Sequence, residues 1–295
     1  MPKHNKFRIA ILLLPCALLY IATVFIPIFT TFGYSLKQYS LTDPESEQFI
    51  GLKNYSDTLA SPEFHNALIN SLVILAYVLV FGLLISLIIA LVLNKKTRLS
   101  SFLTAIAIIP WALPPMVNGI MWKFIFFPGY GFMNKLLVSF GIINTPISWI
   151  ADRGLFLFVV SLAVTWRIVP FAAIVILSNL QSIPDNLYEA FYIDGASKWQ
   201  AFKKITLPLI MPSLSIVLIN LTTTAVNVFD EIIALSGYQI QNQTLLVLDY
   251  TTTFNFLNFG VGSALSYIIM ILTGIIGYFY IKNMTVERVY KDSHE

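Results

Sequence analysis

The chain is short of charge. Asp, Glu, Lys and Arg make up 11% of its 295 residues, where a soluble domain carries about 25%. So few charges cannot cover a globule of this size, which excludes an ordinary soluble enzyme and a charge-rich disordered chain. No acidic residue occurs between Glu63 and Asp152. The single cysteine, Cys16, cannot form an internal disulfide, which excludes a disulfide scaffold and leaves the redox compartment unread. No G-x-x-x-x-G-K-[ST] loop is present for binding ATP, and no H-E-x-x-H for zinc. His4, His65 and His294 are isolated, and Cys16 has no histidine near it. A catalytic dyad, a metal cage, heme and flavin are therefore not expected, and the chain is not expected to be an enzyme. Its basic clusters are short and lie beside apolar runs, so they read as topology signals and not as nucleic-acid sites.

What the chain does have is apolar length. Hydrophobic residues make up 57%, and the mean hydropathy is +0.77. A helix needs about 20 mostly apolar residues to cross the hydrocarbon core. Six stretches qualify, roughly 9–34, 67–93, 102–127, 155–180, 209–235 and 260–281. Barrel-type alternation is absent, and a spanning segment must satisfy its own backbone, so these are expected to be helices. The fold class is thus an all-α polytopic membrane protein, one membrane domain over 1–295.

Basic residues set the orientation. Lys3, Lys6, Arg8, Lys95, Lys96, Arg98, Lys198, Lys203, Lys204, Lys282, Arg288 and Lys291 fall on one side; Lys37, Lys53, Lys123, Lys135 and Arg153 fall on the other. Both termini are expected in the cytoplasm. The first apolar run is too long for a signal-peptide core and no A-x-A-like site follows it, so it is expected to stay as a span. Pro15 and Pro27 are expected to kink it.

The cytoplasmic segment 182–208 reads SIPDNLYEAFYIDGASKWQAFKKITLP. Pro184 and Asp185 suit the first turn of a helix over about 185–193. Gly195 permits a sharp turn, and Ser197 can cap a second helix over about 198–206. Trp199, Phe202 and Ile205 recur at helical spacing, and Pro208 is expected to end that helix. Two short amphipathic helices meeting at a glycine could insert into a groove on a cytoplasmic partner. They could equally lie on the bilayer surface.

This segment resembles the signature loop of permeases in ATP-binding-cassette importers: E-A-A, three residues, G, nine residues, I-x-L-P. Glu189, Ala190, Gly195, Ile205, Leu207 and Pro208 match in spacing, and Phe191 stands where the second alanine is usual. Three further blocks are similar to the carbohydrate-uptake branch: IPWALPP at 109–115, FDEIIALSG at 229–237 and FGVGSALS at 259–266. At 236–240 the chain departs from that branch, with Ser-Gly-Tyr-Gln-Ile in place of a glycine-rich stretch.

The resemblance implies a type I importer architecture in a bacterial plasma membrane. It implies as partners a second homologous permease, two ATPase subunits carrying ATP and magnesium, an extracytoplasmic binding protein and a sugar. Glu189, Ala190 and Gly195 would couple to the ATPase, with Asp194, Ala196, Trp199 and Phe202 as further docking residues.

Polar groups inside apolar spans are functional candidates. Arg167 lies mid-span, while Asp230 and Glu231 lie near the outer end of the fifth; straight helices would leave them about 10 Å apart in depth. Their pairing therefore stays open, as do a structural and a path-lining role. Asn220, Thr222, Thr223, Thr224 and Asn227 make the fifth span unusually polar. Sugars need hydroxyl-matching groups and flat apolar faces, so Trp111, Asn118, Trp166, Asn227 and Asp230, with Arg167, are the path candidates. Pro110, Pro114 and Pro115 are expected to break the third span. A solute other than sugar, such as glycerol phosphate, and an ion-coupled secondary transporter are the alternatives.

Overall fold

The computed structural model describes residues 3–95 and 99–284. Lys96, Arg98, Arg288 and Lys291, counted above for orientation, lie outside the described residues. The helices in chain order are α1 (Lys3–Tyr20), α2 (Ile26–Ser35), α3 (Lys53–Ala60), α4 (Pro62–Leu93), α5 (Ser100–Ala107), α6 (Pro115–Ile125), α7 (Phe132–Ser139), α8 (Arg153–Leu180), α9 (Asp185–Ile193), α10 (Lys198–Ala201), α11 (Leu207–Val226), α12 (Asp230–Ser236), α13 (Leu245–Tyr250) and α14 (Phe259–Met284). A hairpin of β1 (Lys37–Ser40) and β2 (Asp43–Phe49) follows α2.

Among the described residues, five helical stretches are long and apolar enough to cross a membrane: Leu12–Ser35, Pro62–Leu93, Arg153–Leu180, Lys198–Val226 and Phe259–Tyr280. A sixth candidate is the pair Ser100–Ala112 and Pro115–Ile125, bent by 94°. The break expected from Pro110, Pro114 and Pro115 in the stretch 102–127 is present. Leu113 and Pro114 are both extended, because a residue before proline is pushed out of the helical region. Pro115 then opens α6, where its missing N–H costs nothing.

The expected fifth span over 209–235 needs correction at both ends. Pro208 does not end the preceding helix. Lys198–Val226 runs on without interruption, because Phe202–Thr206 is one wide π-turn, closed by the Leu207 N–H on the Phe202 carbonyl. The wider turn makes room for a ring that an α-turn would reject. The first span repeats the device, with a π-turn at Ile21–Phe25 just before Pro27. At its far end α11 stops at Val226, and α12 starts afresh at Asp230.

The chain packs as two units. One comprises residues 66–247 and 272–295. Its centre is α8, started by the Asp152 carboxylate accepting from the Leu155 N–H (2.9 Å). Phe156, Val160, Val164, Ile168, Ala172 and Ile176 form its buried stripe, at the spacing of one helical face. Ile210, Leu214, Val217, Leu221 and Ala225 of α11 join it in the core, with Ile74 and Val78 of α4. The stretch after Gly237 (φ +66°) is pinned from below. Asn70 donates to the Gln241 and Gln243 carbonyls (3.0 and 2.8 Å) and accepts from Arg153 (2.9 Å).

The other unit comprises residues 1–65 and 248–271. Asn54 donates to the Ser35 and Lys37 carbonyls (2.9 and 2.8 Å) and so ties α3 to the start of the hairpin. Gly260 is obligatory, since a Cβ there would lie 2.4 Å from the Lys37 carbonyl oxygen. Along Leu12–Ser35 the most apolar window has no residue buried within the chain.

Candidate functional site

Two regions of the larger unit carry the candidate residues. In the loop, α9 begins after Pro184 with Asp185 in its first turn and ends in a Schellman motif. The Gly195 N–H bonds to the Tyr192 carbonyl (3.1 Å) and the Ala196 N–H to the Phe191 carbonyl (3.2 Å). Gly195 sits at φ +80°, which a residue with a side chain adopts only with strain. The sharp bend expected there is present. Ser197 then forms a capping box with Gln200: its hydroxyl accepts the Gln200 N–H (3.3 Å), and its own N–H donates to Gln200 Oε1 (2.7 Å).

These turns present a knob. Glu189, Ala190, Asp194 and Gly195 are exposed, Ala196 and Phe202 half-buried. Ile193 is 85% exposed and Trp199 70%. The Trp199 ring stacks on Phe202 (centroids 5.5 Å, 23°). A run of apolar side chains held outward by two caps has the shape of a plug for a groove. Tyr188, on the inner side of α9, meets Thr206 (Oη to Oγ1, 2.9 Å).

The second region lies where α6 crosses α12. A Cβ on Gly119 would meet the Ala234 Cβ at 2.6 Å and the Glu231 Cα at 2.9 Å, so the two helices touch through this residue. Lys123 donates to the Ala234 carbonyl (3.2 Å). The Arg167 Nε donates to Glu231 Oε1 (2.9 Å), with side chains 14% and 2% exposed. The break at 227–229 allows this. The chain turns there, Asn227 donating to the Thr223 carbonyl (2.8 Å), and α12 carries Glu231 to Arg167. The depth difference assumed for straight helices vanishes. The partner is Glu231 and not Asp230, which is half-buried.

The other path candidates scatter. Asn118 is fully buried and donates to the Ala163 carbonyl of α8 (3.1 Å). Among the described residues its Oδ1 has no hydrogen-bond partner, nor does Nε1 of Trp122 one turn further along. Trp166 touches the edge of Trp122 (6.0 Å, 74°). Trp111 is 44% exposed and stacks on Phe171 (5.3 Å, 21°). Asn227 is exposed. Asn118, Trp166 and Arg167 thus belong to one cluster with Trp122 and Glu231, while Trp111 and Asn227 sit at its outside. Glu231, weighed from the sequence as a possible partner of Arg167, and Trp122 complete it together with Gly119 and Lys123, which were not selected as path residues. Gly119 carried a signal, being the only glycine between 102 and 127.

A model of the family described as "Binding-protein-dependent transport system inner membrane component" matches residues 82–290. The chain is 32% identical to the trehalose/maltose transport system permease protein MalF of Thermococcus litoralis, over 92% of this chain and 91% of that one. It is 31% identical to the sulfoquinovosyl glycerol transport system permease protein SmoG of Agrobacterium fabrum, over 94% and 90%. Among solved structures, a chain of a bacterial ABC transporter involved in import of the acidic polysaccharide alginate superposes with a TM-score of 0.81. That match is 20% identical and covers 95% of this chain and 96% of the other, so it is a likeness of fold.

Proposed function

Since the chain belongs to the family of binding-protein-dependent transport system inner membrane components, we propose that it is the permease subunit of an ATP-driven sugar importer, taking up an oligosaccharide of the trehalose or maltose kind. The bent pair α5–α6 counts as the third of six spans, with both termini in the cytoplasm. A second, homologous permease completes the path. Two ATPase subunits, holding ATP and its magnesium, dock below through the 182–208 loop, and a binding protein docks above. Closure of the ATPases moves the loop, and the spans alternate between inward- and outward-open states.

The observation that carries this reading is the uncovered knob around Gly195. Leaving Ile193 and Trp199 in water costs free energy in proportion to their apolar area, and a partner groove removes that cost. Glu189, Asp194 and Gly195 form its polar edge. The sugar assignment draws on the named relatives and on the aromatic and amide groups at the α6–α8–α12 crossing. Arg167 has its charge met by Glu231, which leaves it little to offer a phosphate and weighs against an anionic solute.

The test is ATP hydrolysis by the complex purified through this chain and reconstituted with its binding protein. Maltose- or trehalose-loaded binding protein should stimulate hydrolysis and drive uptake. If no ATPase accompanies the chain and uptake follows an ion gradient, the chain is a secondary transporter and the reading fails.

A further inference from the structure

The first helix of the cytoplasmic loop is weakly seated. Beneath α9 lies a hollow of about 820 Å³, lined by Asn94 at the end of α4, Leu180 and Gln181 at the end of α8, and Pro184, Asp185 and Tyr188 of the loop itself. Side chains transmit displacement by close packing, and on α9 it is Tyr188 that packs against the core beside this hollow. At its other end α9 leaves through the turn at Gly195, which faces open space. A load applied to α9 passes to the spans through the groups that tie it to them.

Tyr188 provides one such tie. Tyr188 Oη and Thr206 Oγ1 lie 2.9 Å apart, eighteen residues distant in sequence. Thr206 is buried and is the last residue of the π-turn, directly before α11. From there α11 runs through the core against α8 to Val226, and α12 follows with the Arg167–Glu231 pair. A phenylalanine would fill the ring's volume at 188 equally well, so packing does not require the hydroxyl.

We propose that the Tyr188–Thr206 hydrogen bond is the strut that carries movement of α9 into the fifth span, which makes both positioning residues of transport. This rests on the loop being the ATPase contact. Neither residue touches solute or nucleotide. Losing the bond leaves the ATPase docked and able to hydrolyse, but the stroke reaches α11 incompletely.

The test uses the assembled complex in liposomes, with its binding protein and maltose or trehalose as the probe, and reads ATP hydrolysed per sugar taken up. Tyr188→Phe and Thr206→Val should leave the amount of co-purified ATPase and the KM for ATP unchanged. The ATP-to-sugar ratio should rise by about tenfold, the scale of one lost hydrogen bond. Thr206→Ser, which restores a hydroxyl, should return the ratio to that of the unaltered chain. The double variant should be no worse than either single one, because both remove the same bond. An unchanged ratio in both single variants overturns the proposal. So do additive losses, a serine variant that behaves like valine, or uptake and hydrolysis falling together. Failure of the unaltered chain to retain any ATPase would instead overturn the reading of the loop on which this rests.

Discussion

Arg167 and Glu231 show what a charge inside a span needs. Each is costly there alone, and together at 2.9 Å they meet each other's charge. Removing one partner strands the other, so Glu231→Ala should cost about 3–5 kcal/mol. The paired change Arg167→Met with Glu231→Leu should be milder than either single one. Thermal unfolding in detergent measures all of them. Asp249 is another partly buried acid, outside the spanning helices. Burial raises its carboxyl above the ordinary range, against the opposing hydrogen bonds from Ser266 (2.7 Å) and Thr253 (3.3 Å). A raised acid is held best when protonated: its cost is absent below the unfolded value of about 3.9 and grows as pH rises towards the folded one. Asp249→Asn should therefore raise the melting midpoint at pH 7, with the gain shrinking towards pH 4. A gain of equal size at both pH values would refute this account.

At the scale of elements, the α6–α12 crossing turns on one missing side chain. Gly119→Ala should cost about 1–3 kcal/mol by overpacking. Ala234→Gly should recover part of it, because the Ala234 Cβ is the nearest atom in the way. Melting midpoints of the two single variants and the double one decide this. The five long helices were legible in the sequence, since apolar length and lack of charge are one-dimensional properties. The Gly195 turn and the Ser197 cap were legible for a similar reason, each being set within six residues. The break after Val226 was not. Val226–Leu235 stays apolar enough to continue a helix, and the turn at 227–229 depends on tertiary partners that no local pattern encodes. The wide turn before Pro208 was hidden too: proline reads as a stop unless the preceding turn is known to widen. The ion pair depends on that break, which is why the pairing of Arg167 stayed open in the sequence. Asn118, chosen as a path residue for its chemistry, turned out to be sealed against α8.

At the scale of the whole molecule, the loop and the polar crossing lie at opposite ends of α11, so damage at each should read out differently. Gly195→Asp forces a side chain into φ +80° and a charge onto the docking edge. It should abolish sugar-stimulated hydrolysis while leaving insertion and melting nearly unchanged. Uptake equal to that of the unaltered chain would show that the knob is not a coupling element. The π-turn at Phe202–Thr206 adds a constraint of another kind. It holds one residue more than an α-turn, and each residue of an α-helix advances the angle about its axis by about 100°. Deleting a single residue there would let the helix close as a plain α-helix with Trp199 and everything before it near its present angle, whereas keeping the residue and closing the turn as an α-turn would swing them by about 100° around that axis. The wide turn thus absorbs one residue and keeps the azimuth at which the chain presents its cytoplasmic face. Among relatives, a one-residue gap at this place would leave the docking side unchanged.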